Sequence, residues 1–267
     1  MKKIAKIEIG KSVYKIDLNQ SYDLSIPIDP NKKSPSFYDK EPLKIKYYND
    51  SKKVWEMKKG STCNIPVINL NIHCGSTHTE CRSHITKESL NISEIIKDSF
   101  IPTILISVKP TESIGDETYH HNLTNKDLII TKSILKNKLE PYKINNINGL
   151  IIRTLPNLEN EVIIKNYNLQ HNAFFSNEAI HYLKSLKIEH LIVDLPSIDK
   201  FDDGGLLGNH QIFWDIKKEP NENTITELAF IKNDIKDGSY LLSLNILNIN
   251  LDASPSRPMI YPILKKS

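Results

Sequence analysis

The sequence predicts an α/β fold, on three observations. Ile101–Val108 and Gly149–Thr154 are runs of β-branched and aliphatic residues of strand length, as strands buried on both faces require. Ser176 is an N-cap for a helix carrying Ala179, Ile180, Leu183 and Leu186 on one side. The strand His190–Asp194 follows at once, which makes a β–α–β pattern. Residues 224–231 and 240–250 alternate apolar and polar side chains, the period of a strand with two different faces.

Taken in order, the chain opens with strand candidates at 11–18 and 22–28, the second interrupted by Pro27 as an edge strand would be. Residues 29–43 hold Pro30, Pro35 and Pro42 among Lys, Ser and Asp and read as a long, functional loop. Short strands are expected at 43–48 and 54–57, and a short helix capped by Ser89 or Asn91. Residues 109–127 are polar, and His120-His121 reads there as a solvated pair. Thr131–Asn137 reads as a helical turn. Asp202–His210 contains three of only nine glycines, a density that lets backbone approach a ligand, without the Gly-Lys-Ser/Thr end of a phosphate loop. With no internal repeat and no domain-length linker, residues 1–267 are read as one domain.

Composition excludes several function classes. A formal net charge of +3 is too small to argue for nucleic acid, and hydrophobic residues at 39% with charged residues at 25% are an ordinary soluble balance. No run approaches the length of a membrane helix. The N-terminus lacks the apolar core of a signal peptide, so the cytoplasm is the expected compartment. Cys63, Cys74 and Cys81, odd in number and crowded together, suit metal chemistry or reduced thiols better than disulfides.

The chemistry concentrates in Asn71–Ile85, where three of nine histidines and two of three cysteines fall beside Glu80. Imidazole, thiolate and carboxylate are the transition-metal ligands. In an extended segment Cys74, His78, Glu80 and His84 share one face. The His-Glu-x-x-His spacing of a helical zinc site is absent. Glu227, set in an otherwise apolar strand, needs a cation or a hydrogen-bond network if it is buried.

These residues resemble the His-x-Gly-Thr-His-x-Asp-x-Pro-x-His signature of the bacterial cyclase and kynurenine formamidase family. By position His78 matches its second metal-binding histidine, Glu80 its aspartate, and His84 its catalytic acid/base. Cys74 takes the first ligand position when counted without a gap, and His73 takes it if one residue is inserted at Gly75. His210 ends the glycine-rich stretch where the family completes its metal site. Glu227, or Glu222 as the alternative, matches a metal-binding glutamate at the start of a strand. Asp23-Leu24-Ser25-Ile26-Pro27-Ile28, the strand at 149–154 and Ser254-Pro255-Ser256-Arg257 are similar to further family segments, and Arg257 is a candidate carboxylate binder.

The resemblance implies a swivelling β/β/α fold with a mixed, barrel-like sheet and few flanking helices. It also implies metal-dependent hydrolysis of a C–N amide bond, in an aryl formamide or a cyclic amide. One or two ions are expected, zinc ahead of manganese if Cys74 is a ligand. The expected partners are a small-molecule substrate and a second copy of the chain, as a homodimer or other homo-oligomer. Two rival readings stand: a metal- or small-molecule-binding protein that has lost catalysis, and a cysteine-nucleophile enzyme using Cys81 or Cys74 with His78 or His84.

Overall fold

A computed structural model gives the structure of residues 1–264 other than 30, 145 and 170; Pro30, one of the loop prolines noted above, lies outside the described residues. Strands run in chain order as β1 (Ile4–Ile9), β2 (Ser12–Asp17), β3 (Tyr22–Asp23), β4 (Leu43–Tyr47), β5 (Pro66–Leu70), β6 (His78–Cys81), β7 (Ile101–Val108), β8 (Ile129–Ile130), β9 (Gly149–Thr154), β10 (Phe174–Phe175), β11 (His190–Val193), β12 (Thr224–Glu227), β13 (Gly238–Ile246) and β14 (Ala253–Pro262). The helices are α1 (Ile72–Gly75), α2 (Ile92–Ile95), α3 (Lys132–Leu139), α4 (Glu159–Val162), α5 (Asn177–Ser185) and α6 (Gly208–Trp214).

The main sheet closes on itself. Its order is β13-β7-β9-β11-β12-β6-β14, β14 pairs back onto β13, and β3 hangs on the outside of β14. β7, β9, β11 and β12 are parallel, while β6, β14 and β13 join them antiparallel, so the barrel-like sheet is mixed. This is the α/β fold with few helices that the sequence predicts.

The parallel strands are apolar on both faces because each face meets a different core. Ile104, Ile106, Val108, Leu150, Ile152, Leu191 and Val193 point outward into the layer closed by α3, α5 and α6, with Phe175, Phe213 and Trp214 at its centre. The alternate residues Ile101, Leu105, Ile151 and Ile192 point inward, where Leu242, Leu244 and Ile260 meet them. Gly149 has its reason here: a Cβ would collide with Thr103 on the neighbouring strand.

Helix starts follow the expected chemistry. Ser176 accepts the Ala179 N–H at 3.1 Å ahead of α5, and Thr131 does the same for Ile134 at 3.3 Å ahead of α3. Four expectations are corrected. Residues 24–28 are not strand; β3 stops at Asp23. Of 54–57 only Val54 pairs, as an isolated bridge to Asn49. Residues 228–231 leave the ladder, because Leu228 turns to φ 52° right after β12. Residues 247–250 are not strand, since β13 ends at Ile246, and the ring is closed by the ten-residue strand from Ala253. No described helix is long and apolar enough to cross a membrane.

Candidate metal centre

The site forms where β12 ends beside the start of β6. Their register sets Glu227 opposite His78, and His78 and Glu80, two residues apart on β6, leave the strand on one face. The turn α1 brings in His73 from before β6, and a 3₁₀ turn at Arg82–His84 brings His84 from after it. The first turn of α6 supplies His210, and Asp252 arrives just ahead of β14.

Glu80 lies at the centre, fully buried. Its Oε1 is 3.0 Å from His210 Nε2. Its Oε2 is 3.1 Å from His73 Nδ1, 3.7 Å from His84 Nε2 and 4.0 Å from His78 Nε2. Glu227 reaches His78 Nε2 at 3.7 Å and His210 Nε2 at 3.6 Å. Two triads result, His73-His78-Glu80 and Glu80-His210-Glu227; within each, the ligand atoms lie within 4.8 Å of one another.

Supporting groups fix the imidazoles. His78 Nδ1 donates to the Ser76 carbonyl at 2.9 Å, which leaves Nε2 as the atom facing the triads. His210 Nδ1 is 2.6 Å from Asp199 Oδ2, the carboxylate–histidine pairing that orients a metal ligand. Asp252 Oδ2 is 3.0 Å from His73 Nε2 and 3.1 Å from His84 Nδ1, so one carboxylate orients both rings, which stack at 4.1 Å between centroids. His120 sits behind Asp199 at 3.4 Å, accepts the Gly208 N–H at 3.1 Å, and packs so closely that a Cβ on Gly208 would collide with it.

Electrostatics follow from that crowding. Burial, with His73 next to it, lowers His78 to about 4, so its imidazole is neutral. Burial alone would also lower His73 and raise Glu80. Instead Asp252 and Glu80 lift His73 to about 10, while His84, His210 and His73 hold Glu80 well below the usual carboxylate range. His210 is raised against burial by Asp199, Glu227 and Glu80. Glu227 is raised by burial and by the neighbouring Glu80 charge. Protons thus stand where a cation would otherwise balance the carboxylates.

The structure brings His78, Glu80, His84, His210 and Glu227 together, and it changes one member of the expected set. Residues 72–75 are helical, not extended, so the even spacing from Cys74 to His78 does not put them on one face. His73 turns toward Glu80, and Cys74 belongs to neither triad. His210 is on a helix, not in a loop, and Glu227 ends its strand instead of starting it. Glu222 is an exposed partner of Lys97 at 2.8 Å, and Arg257 is an exposed partner of Asp23 at 2.7 Å. Cys81 packs with Ile92 and Ile95 on the other side of β6 and contacts Ser83. Burial raises the thiol pKa of both Cys74 and Cys81, and among the described residues neither has an imidazole as hydrogen-bond partner. Asp199, Asp252 and His120 join the cluster without a motif of their own; Asp252 adjoins the Ser-Pro segment, Asp199 the Gly-rich stretch, and His120, expected to be solvated, is instead tied to Asn177, Gly208 and Asp199.

Comparison with known proteins decides the family. The cyclase family model matches residues 22–200, more than half of the chain. The chain belongs to the cyclase family. Among curated relatives of this cyclase chain, the kynurenine formamidase of Bacillus anthracis is 26% identical over 216 residues, covering 79% of this chain and 86% of the relative. That of Bacillus cereus is 24% identical over 215 residues, covering 78% and 85%. Solved structures share the cyclase fold. A potential metal-dependent hydrolase with cyclase activity superposes with TM-score 0.60 at 18% identity, over 91% of this chain and 97% of that one. Isatin hydrolase A from Labrenzia aggregata, bound to benzyl benzoate, gives TM-score 0.62 at 13% identity, over 92% and 94%.

Proposed function

We propose that this cyclase-family chain is a metal-dependent amidohydrolase, formamidase-like, acting on a small aryl formamide or cyclic amide. One observation carries the reading. His78 Nε2 is buried, has no hydrogen-bond partner among the described residues, and lies 4.0 Å from Glu80 Oε2 and 3.7 Å from Glu227 inside the cluster of imidazoles and carboxylates. Leaving such an atom unpaired costs a few kcal/mol, roughly 1–3, and a cation shared with these carboxylates removes the penalty. The donors are imidazole nitrogen and carboxylate oxygen, a set suited to zinc and also acceptable to manganese. His73, His78 and Glu80 would hold one ion, and Glu80, His210 and Glu227 a second, with Glu80 shared. With His73 in the place expected of Cys74, thiolate no longer argues for zinc over manganese.

When bound, such a metal supplies Lewis acidity toward the carbonyl oxygen and lowers the pKa of water toward about 7. The chain's own contribution is proton handling. His84, a quarter exposed and not a member of the triads around Glu80 and Glu227, is within reach of a substrate entering from solvent. Asp252 accepts its Nδ1–H and fixes the tautomer, so Nε2 is the atom that takes the proton from the attacking water. The same proton passes to the departing nitrogen as the C–N bond breaks, yielding a carboxylic acid and an amine. We read the enzyme as cytoplasmic and homodimeric; exposed Ile65 just ahead of β5, Val67 and Ile68 within it and Leu247 after β13 supply an apolar surface for self-association, checked by light scattering.

Elemental analysis of the purified protein, together with formate release from an aryl formamide before and after chelation, tests the reading. Metal at one or two equivalents and activity abolished by chelator and restored by zinc or manganese are expected. A metal-free protein that turns over the substrate would overturn it.

A further inference from the structure

A second cavity, of about 270 Å³, lies at the C-terminal ends of β9 and β11 and shares no lining residue with the metal centre. Carboxyl ends of adjacent parallel strands are where α/β sheets receive small molecules. Thr154 ends β9, and Asp194 directly follows β11. Asp194 is 8% exposed, and its Oδ2 accepts the Thr154 N–H at 2.7 Å, but its Oδ1 has no partner. A further acceptor lining the cavity, Asn172 Oδ1, is buried and equally unpaired. The Asn172 amide nitrogen is committed to the Tyr167 carbonyl at 2.8 Å, so the oxygen is the free end of that side chain.

The same cavity presents one cation. Lys165 holds its ammonium 4.8 Å from the centroid of the Tyr167 ring and makes no ion pair among the described residues. Burial lowers Lys165 although Asp194 and Glu161 on the same cavity wall act to raise it, and burial raises Asp194 to about 6. Leu155, Leu158 and Leu195 add apolar wall between these groups.

We infer that this cavity binds a small zwitterion, with its ammonium on Asp194 and Asn172, its carboxylate on Lys165 and an aliphatic portion against the leucines. The ligand class is therefore an amino acid with an apolar side chain, and the inference is independent of the metal-site reading. A neutral ligand would leave Asp194 and Lys165 as they are, and a simple amine or acid would satisfy only one of them.

The test is calorimetric titration of the full-length protein with L-leucine, with isopentylamine and 4-methylpentanoate as single-charge controls. Leucine is expected to bind saturably, and each control about tenfold or more weaker, the loss of one charge-assisted contact. Lys165→Gln should weaken leucine by a similar factor while leaving isopentylamine unchanged and the metal content as in wild type. Asp194→Asn should show the mirror pattern. Because Asp194 also holds the end of β9, Lys165→Gln decides the matter if the Asp194 variant does not fold. Absence of saturable leucine binding, controls as tight as leucine, or leucine affinity unchanged in Lys165→Gln would each overturn the inference.

Discussion

The parallel half of the ring and the rim that carries the candidate metal centre are built on different physics. Along β7, β9 and β11 every residue but Thr154 is buried, and what matters at most positions is apolar volume and strand propensity. At the rim, Glu80 is as buried as Ile151, yet its neighbours are His73, His84, His210 and Glu227, drawn from four separate segments. The core tolerates its environment one residue at a time. The rim is stable only as a group, because each carboxylate relies on cations the chain brings from elsewhere.

The largest effect should come from breaking the group at its centre. Glu80→Ala removes the carboxylate common to both triads; metal content should fall to near zero and amide hydrolysis below detection, measured by elemental analysis and formate release. Next, His84→Ala should keep its metal and lose about 10²–10⁴ in rate; wild-type turnover, or loss of metal, would make His84 a spectator or a ligand. His73→Ala should weaken metal binding by at least the roughly 10–100-fold seen when even a supporting group is lost, whereas Cys74→Ser should leave it unchanged in competition titrations with a chromophoric chelator.

Acidity provides a further contrast between the two regions. In the metal-free protein His73 and His210 are raised and carry protons at neutral pH, and Glu227, raised to about 7, carries one below that pH; an incoming ion must displace them. Binding then releases protons, and affinity should rise with pH, about tenfold per unit for each proton released. Calorimetry in buffers of different ionisation enthalpy reads that number directly; affinity independent of pH would mean the cluster is not the binding site. The smallest effect is reserved for the core: Ile152→Val should cost about 0.5–1.5 kcal/mol of stability in urea unfolding, with metal affinity untouched.

That contrast also explains what was legible beforehand. Ile101–Val108 and Gly149–Thr154 were read to the residue, and the Ser176 cap was placed correctly, because burial on both faces and capping are written in local sequence. Glu227 could be singled out because a carboxylate among Ile, Leu and Ala has no local partner. Even spacing favours Cys74 over His73 only if 72–75 is extended, and the segment coils. That is settled by its packing, where Gly75 lies so close to Pro42 that a Cβ would strike the ring. Asp252 lies 168 residues from His84, and no local pattern announces such a pair.

The ring has a seam with a consequence of its own. β14 meets β6 through three residue pairs, Ala253 with Glu80, Ser254 with Thr79 and Pro255 with His78, flanked by the Cys81 N–H on the Asp252 carbonyl and the Ser256 N–H on the Thr77 carbonyl, and Pro255 has no N–H to offer. On either side of that join stand the shared carboxylate of β6 and the Asp252 that steers His73 and His84. An ion held at Glu80 and His73 would reach across the join only through the His73 ring, whose Nε2 is 3.0 Å from Asp252. Removing it should loosen Thr79 and Ser254 first, seen as faster amide exchange there than in β9, so that loss of the cofactor reads out as a barrel coming unzipped at one stave.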